Sequence, residues 1–198
     1  WSYDNSVTML PSAKTGSITL RASASFWSAD YVGLRVRYGG REIRITEYVS
    51  KTVVRGDVIS ILPPSYNVGV ANGALFKAGD AVIGQDTDFN GLVISVSGNT
   101  LKVVTVAFFD GPDVGEKLSS PIGSSDVTSK VEISPLASPL WDEPLMSPVR
   151  GYPRAGVSAA GRLTLIDFPQ EPSAICMSSV RGIKDFTVGP EDDDAIAR

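Results

Sequence analysis

The sequence contains no histidine, and this absence excludes more than any other count. Without an imidazole there is no Ser/His/Asp or Cys/His catalytic set, no His-containing zinc site and no ordinary proton shuttle near neutral pH. Cysteine occurs once, as Cys176, so neither an internal disulfide nor a thiolate metal cluster can form within the chain. It lies in the apolar run Ala174-Ile175-Cys176-Met177 and reads as a core thiol. Long apolar runs are missing as well, since no window approaches the roughly 18 residues that a membrane helix needs. No membrane insertion by this segment is expected. GxxxxGK[ST], GxSxG and CxxC are all absent, which removes the usual nucleotide, hydrolase and redox signatures. Positive charge is in short supply too: 18 Lys and Arg stand against 22 Asp and Glu, a net charge of −4, so bulk attraction to phosphate is not expected. These absences together lead us to expect no enzyme activity and no cofactor.

What is present is a core and a supply of turns. The chain has 198 residues, 42% of them apolar, enough to fold without a metal or a disulfide. Its 19 glycines and 13 prolines are spread along the chain, and the short runs between them are rich in Val, Ile, Thr and Leu. That is the spacing of short strands and turns. No longer stretch holds a 3.6-residue apolar period, and the best local helix is a turn or two at Ser25 to Tyr31. The pattern predicts a mainly β chain of small β-barrel or sandwich modules in series: an N-terminal linker at 1–16, a module at 17–63, a second at 68–134 and a Pro-rich connector at 135–154. Beyond it, runs 161–166 and 173–178 are strand-like but too few to make a core, so they require partners.

Two hairpins are legible residue by residue. Val32 to Val49 turns at Gly39-Gly40, which sets Val36 against Ile43 and Leu34 against Ile45 on one face, with Arg37 against Glu42 and Arg35 against Arg44 on the other. Arg35, Arg37, Arg41 and Arg44 form a basic ridge. It reads either as charge that keeps an adhesive hairpin from pairing at its edge, or as a surface that contacts an acidic neighbour or passing DNA. The second hairpin turns at Gly98-Asn99 and sets Val96 against Leu101 and Ile94 against Val103. A Phe, an Asp four residues on, then a nearby Val and Gly recur at Phe26/Asp30/Val32/Gly33, Phe76/Asp80/Val82/Gly84 and Phe109/Asp113/Val114/Gly115, suggesting a repeated corner plugged by Phe.

Candidate ligand sites are few. Glu191 to Asp194 is a solvated acidic run, and Asp86, Asp88 and Asn90 alternate like cation ligands but lack the distal Glu of an EF-hand loop. No metal site is expected. Asp142 and Glu143 beside Trp141 invite comparison with a glycosidase pair, yet adjacent residues of an extended chain project oppositely and cannot face one bond together.

Several blocks carry a resemblance: Trp141-Asp142-Glu143, Ser147-Pro148-Val149-Arg150-Gly151-Tyr152-Pro153-Arg154, Gly161-Arg162-Leu163, Val180-Arg181-Gly182-Ile183-Lys184-Asp185-Phe186 and Asp192-Asp193-Asp194-Ala195-Ile196. In this order they resemble the tail nozzle, or tail tubular B, proteins of short-tailed bacteriophages and prophages. The block from Phe26 through Ile45 and that from Gly79 through Leu101 are similar to the small β modules of phage tail proteins. The resemblance implies a partial propeller-like β segment at 155–198, and the lack of an initiator Met and of any terminal punctuation at Asp192 to Arg198 leads us to expect a fragment of a longer chain. The resemblance also implies a structural virion component located in the phage tail: a homo-oligomeric ring, often six-fold in that family, joined to other tail proteins and in transient, non-specific contact with passing DNA. The ridge Arg35, Arg37, Arg41 and Arg44 is then the interface or DNA-facing surface. The alternative expectation is a glycan- or receptor-binding β module of a tail fibre or adhesin, using exposed Trp27, Trp141 and Tyr152.

Overall fold

In the computed structural model the described residues are 6–106, 110–159, 161–170, 172–180, 182 and 196–197. Residues 2–143 form one compact unit, and the chain from Pro144 onward forms another. The chain is mainly β, and helix among the described residues is confined to single 3-10 turns at Ala29–Tyr31 and Gly73–Leu75. None of it is long and apolar enough to cross a membrane.

The first unit opens with five strands: β1 (Met9–Pro11), β2 (Ser17–Ala22), β3 (Arg35–Tyr38), β4 (Arg41–Ser50) and β5 (Val53–Val58). They are antiparallel in the spatial order β1-β2-β5-β4-β3. Ile18 and Leu20 of β2, Val36 and Tyr38 of β3, and Ile43 and Ile45 of β4 alternate into the interior, each no more than 3% exposed. Period-2 alternation thus puts one face of every strand in the core.

The chain then builds a second barrel from β6 (Ser65–Val70), β7 (Ala81–Gly84), β8 (Asn90–Ser97), β9 (Thr100–Thr105), β10 (Lys117–Ser119) and β11 (Ser124–Ile133). These close in the order β10-β11-β6-β9-β8-β7, with β7 pairing back onto β10. Val68, Phe76, Val82, Leu101, Val103 and Leu118 are among the residues of its buried core. Only after this barrel does the chain return to the first, as β12 (Trp141–Asp142), which pairs with β3 and sets Trp141 opposite Tyr38. Met9 and Ser138 exchange two backbone hydrogen bonds of 3.0 Å, so β1 meets the segment entering β12 and the first sheet nearly closes. The second barrel is therefore inserted in the chain of the first. Part of the 1–16 segment read as a linker, and part of the 135–154 connector, are strands of the first barrel. Strands of three and two residues carry no periodicity to read; they form because Met9 and Trp141, 0% and 4% exposed, fill the remaining gap.

Both hairpin tips lie where the sequence places them. Val36 pairs with Ile43, and Gly39 and Gly40 take φ values of 55° and 76°. Val96 pairs with Leu101, but an irregularity between Val93 and Ser95 sets Val93, not Ile94, opposite Val103. One extra residue reverses which side chains face inward; Val93 is 1% exposed and Ile94 is only half-buried. The Phe-Asp motif does not repeat one structure. Phe76 and Val82 are buried and Asp80 accepts the Lys77 N–H at 2.9 Å, whereas Val32 and Val114 are 46% and 61% exposed. Phe109 lies outside the described residues, as do Trp1 to Asn5 and the run Glu191 to Asp194.

The second unit contains an open antiparallel sheet of β13 (Ala155–Ala159), β14 (Arg162–Ile166), β15 (Cys176–Met177) and β16 (Ile196–Ala197), in that order. The two strand-like runs that needed partners find one another, Leu165 pairing with Cys176. Leu145 and Phe168 complete a small core with Cys176, against which Leu165 and Met146 pack. The described residues of this unit form this single sheet, and no propeller is seen among them. Of the block Val180 to Phe186, only Val180 and Gly182 are described.

Candidate functional site

The hairpin of β3 and β4 carries the four arginines singled out from the sequence, and the strand pairing decides what each can do. Arg37 on β3 meets Asp142 on β12: Nε and a terminal nitrogen donate to the two carboxylate oxygens at 2.7 and 2.6 Å. Both side chains are about a quarter exposed, at 27% and 22%, and a bidentate fork so shielded is stronger than an ordinary surface pair. Glu42 lies directly across from Arg37 but accepts instead from Arg35, diagonally, at 2.8 Å. That pair is more exposed and is worth at most about 1 kcal/mol. Arg44 is exposed, with Arg35 across from it on β3 and Asp57 across from it on β5. Arg41 is half-buried opposite Tyr38. The ridge is thus not one uniform cationic surface: Arg35 and Arg37 each have a carboxylate in hand.

Behind the fork lies the seam that closes the barrel. The Trp141 indole donates to the Val7 carbonyl at 2.7 Å, and the Tyr38 hydroxyl donates to the Leu136 carbonyl at 2.6 Å. Burial raises the Tyr38 pKa above the ordinary phenol value of 10.0. Glu143, 0% exposed, accepts the Tyr31 hydroxyl at 2.6 Å. Phe26 sits at the centre of an aromatic group, its ring 4.9 Å from Trp27, 5.3 Å from Tyr31 and 4.8 Å from Trp141. Asp142 reaches Arg37 while Glu143 reaches Tyr31, so the two adjacent carboxylates engage different partners. Trp27 and Trp141, expected as an exposed sugar platform, are 3% and 4% exposed, and both rings pack on Phe26. Tyr152 alone of the three is exposed, at 59%.

Beside the seam is a largely apolar cavity of about 580 Å³, lined by Gly39, Gly79, Leu92, Val106, Leu140 and Trp141. Its volume is within the range of small-molecule sites. Sequence reading missed it because its walls come from segments distant along the chain. The same reading missed the partnership of Asp142 with Arg37, for which an Arg on a readable strand was the only signal.

On the second barrel, the loop with Asp86, Asp88 and Asn90 is organised by Glu116, which is 4% exposed. Its carboxylate accepts the backbone N–H groups of Asp86 and Thr87 at 3.2 Å each, that of Asp113 at 2.5 Å, and the Thr87 hydroxyl at 3.0 Å. Among the described residues no group of three or more His, Cys, Asp or Glu side chains is placed to hold a metal ion. Comparison of the whole chain with protein-family models gives no match, and neither does comparison with curated proteins.

Proposed function

We propose that the chain is a structural virion component, a subunit or piece of a phage tail nozzle or adaptor ring that forms part of the conduit for genome ejection. The observation that carries this reading is the ordered series of blocks from Trp141 to Ile196 that resemble the nozzle proteins. Two barrels whose buried carboxylates, Glu116 and Glu143, hold loops and strands in place support it as a scaffold rather than a reaction centre. The charge balance agrees: a conduit that retained phosphate contacts would slow what passes through, and a net charge of −4 with Arg37 already paired favours release. In this reading the ridge of Arg35, Arg37, Arg41 and Arg44 faces a neighbouring subunit or DNA. Electron microscopy and native mass spectrometry of the purified chain test it. Ring-shaped particles of one defined copy number are expected; a monomer at all concentrations, or turnover of capsule or peptidoglycan lost on changing one carboxylate, overturns it.

The cavity beside Trp141 favours a second reading, a glycan- or receptor-binding module of a tail fibre or adhesin. Saturation-transfer NMR with host glycans separates the two, since this reading requires a signal that Leu140→Trp, which fills the cavity, abolishes.

A further inference from the structure

The first unit leaves its sheets almost no free edge, because β10 closes on β7 and the Met9–Ser138 bridge links β1 to the β12 segment. The sheet of the second unit is open. Among the described residues its outer strand β13 pairs with β14 on one side only. The Ser178 N–H donates to the Leu163 carbonyl at 2.9 Å, so the main-chain groups of Leu163 point toward β15. Antiparallel alternation then directs the polar groups of Ala155 and Val157 to β14, and those of Gly156 and Ser158 away from the sheet. Residues 155–158 are all exposed and uncharged, and lack the lysine, proline or bulge that ordinarily blunts such an edge.

We propose that this edge is a strand-addition site whose occupant is a second copy of the chain, with β13 antiparallel to β13 and Val157 opposite Val157. That register sets Gly156 opposite Ser158 twice, and each such pair can exchange two backbone hydrogen bonds. Ala155 then faces Ala159, so no charge meets its own kind. Other registers are worse. Moving the pairing by two residues in one direction leaves Ala155 and Gly156 opposite positions beyond Ala159, where the strand has ended and β14 begins at Arg162; moving it in the other sets Ala159 opposite Pro153, outside the strand. Val157 lies on the same sheet face as Thr164 and Ile166, away from the small core, and is 56% exposed. The twin valine would cover it.

The contact is two-fold and closes a pair, so it stands apart from the head-to-tail contact a ring requires. Sedimentation velocity of the full chain should show a concentration-dependent dimer, weakened at least tenfold by Val157→Lys, which sets two ammonium groups against each other. Under mild oxidation Val157→Cys should form an intermolecular disulfide, whereas Ile166→Cys, one strand further in, should not; Cys176 is buried and leaves the readout to the new thiol. Both positions are partly exposed, and an unchanged thermal melt confirms that the variants fold. Association equal in the native chain and Val157→Lys, absence of the Val157→Cys disulfide, or a native chain that stays monomeric overturns the proposal. Rings in the native chain without a Val157→Cys disulfide overturn the edge contact and leave the nozzle reading intact; a disulfide-linked dimer without rings does the reverse.

Discussion

Glu143 is an acidic side chain with no solvent exposure, and removing it would leave the buried Tyr31 hydroxyl without its 2.6 Å acceptor. Glu143→Ala is therefore expected to cost about 1–3 kcal/mol in urea unfolding, the penalty of an unsatisfied buried group. Tyr31→Phe should cost about as much, because it takes a donor from a carboxylate that is itself fully buried; a Tyr31→Phe variant as stable as the native chain would show that the hydrogen bond is not what Glu143 contributes. The arginines offer a similar comparison. Arg37→Ala deprives Asp142 of both its bonds and should destabilise by about 1–3 kcal/mol, whereas Arg35→Ala should stay within about 1 kcal/mol. Tyr38 gives a pH signature. Its folded pKa is raised by burial, so its contribution is complete below the unfolded value of about 10 and is lost as the pH climbs through the folded value. Melting temperature should fall from about pH 10 upward, more steeply for the native chain than for Tyr38→Phe.

A turn shows the same dependence on surroundings at the scale of an element. Gly39 and Gly40 share one loop and both take positive φ, which a side chain tolerates poorly, yet their neighbours differ. A Cβ on Gly40 would meet nothing within 4 Å, whereas one on Gly39 would come within 2.4 Å of the Pro63 ring. Gly40→Ala should cost about 1 kcal/mol from backbone strain alone. Gly39→Ala should cost clearly more, and similar melting temperatures for the two would mean that the Pro63 segment gives way freely. In the other hairpin, the irregularity at Ile94 puts the inward side chain at Val93. Val93→Ala should therefore destabilise by about 1–3 kcal/mol and Ile94→Ala by less.

On the scale of the whole molecule, insertion of one barrel in the chain of the other decides which pieces can stand alone. Residues 64–134 contain every strand of the closed barrel and its buried core. That piece should melt cooperatively by itself. Residues 17–63 lack both β1 and β12, and without Met9 and Trp141 their sheet has an uncovered interior. They should not show a cooperative transition unless residues 6–16 and 135–143 are supplied as well. Calorimetry of the two pieces checks this, and an independent melt of 17–63 would mean that the seam adds nothing to the first barrel.

The sequence by itself determined what depends on neighbours along the chain. Alternation in Val32 to Tyr38 and Ile43 to Thr46, with two glycines between, is a local pattern, so strand identity, turn position and pairing of Val36 with Ile43 could be read directly. The absence of any helical period likewise set the mainly β class. Tertiary structure decided what depends on residues far apart. Asp142 lies 105 positions from Arg37, and Glu143 lies 112 from Tyr31. Met9 meets Ser138 across the whole inserted barrel. No spacing rule connects such residues, because they are brought together by the closing of a sheet around its apolar interior. That closure buries Trp27 and Trp141 and gives Arg37 its carboxylate, whereas in the separate sheet of the second unit β13 stays at an open edge among the described residues, for the physical reason that a barrel satisfies its outer strands by joining them and an open sheet does not.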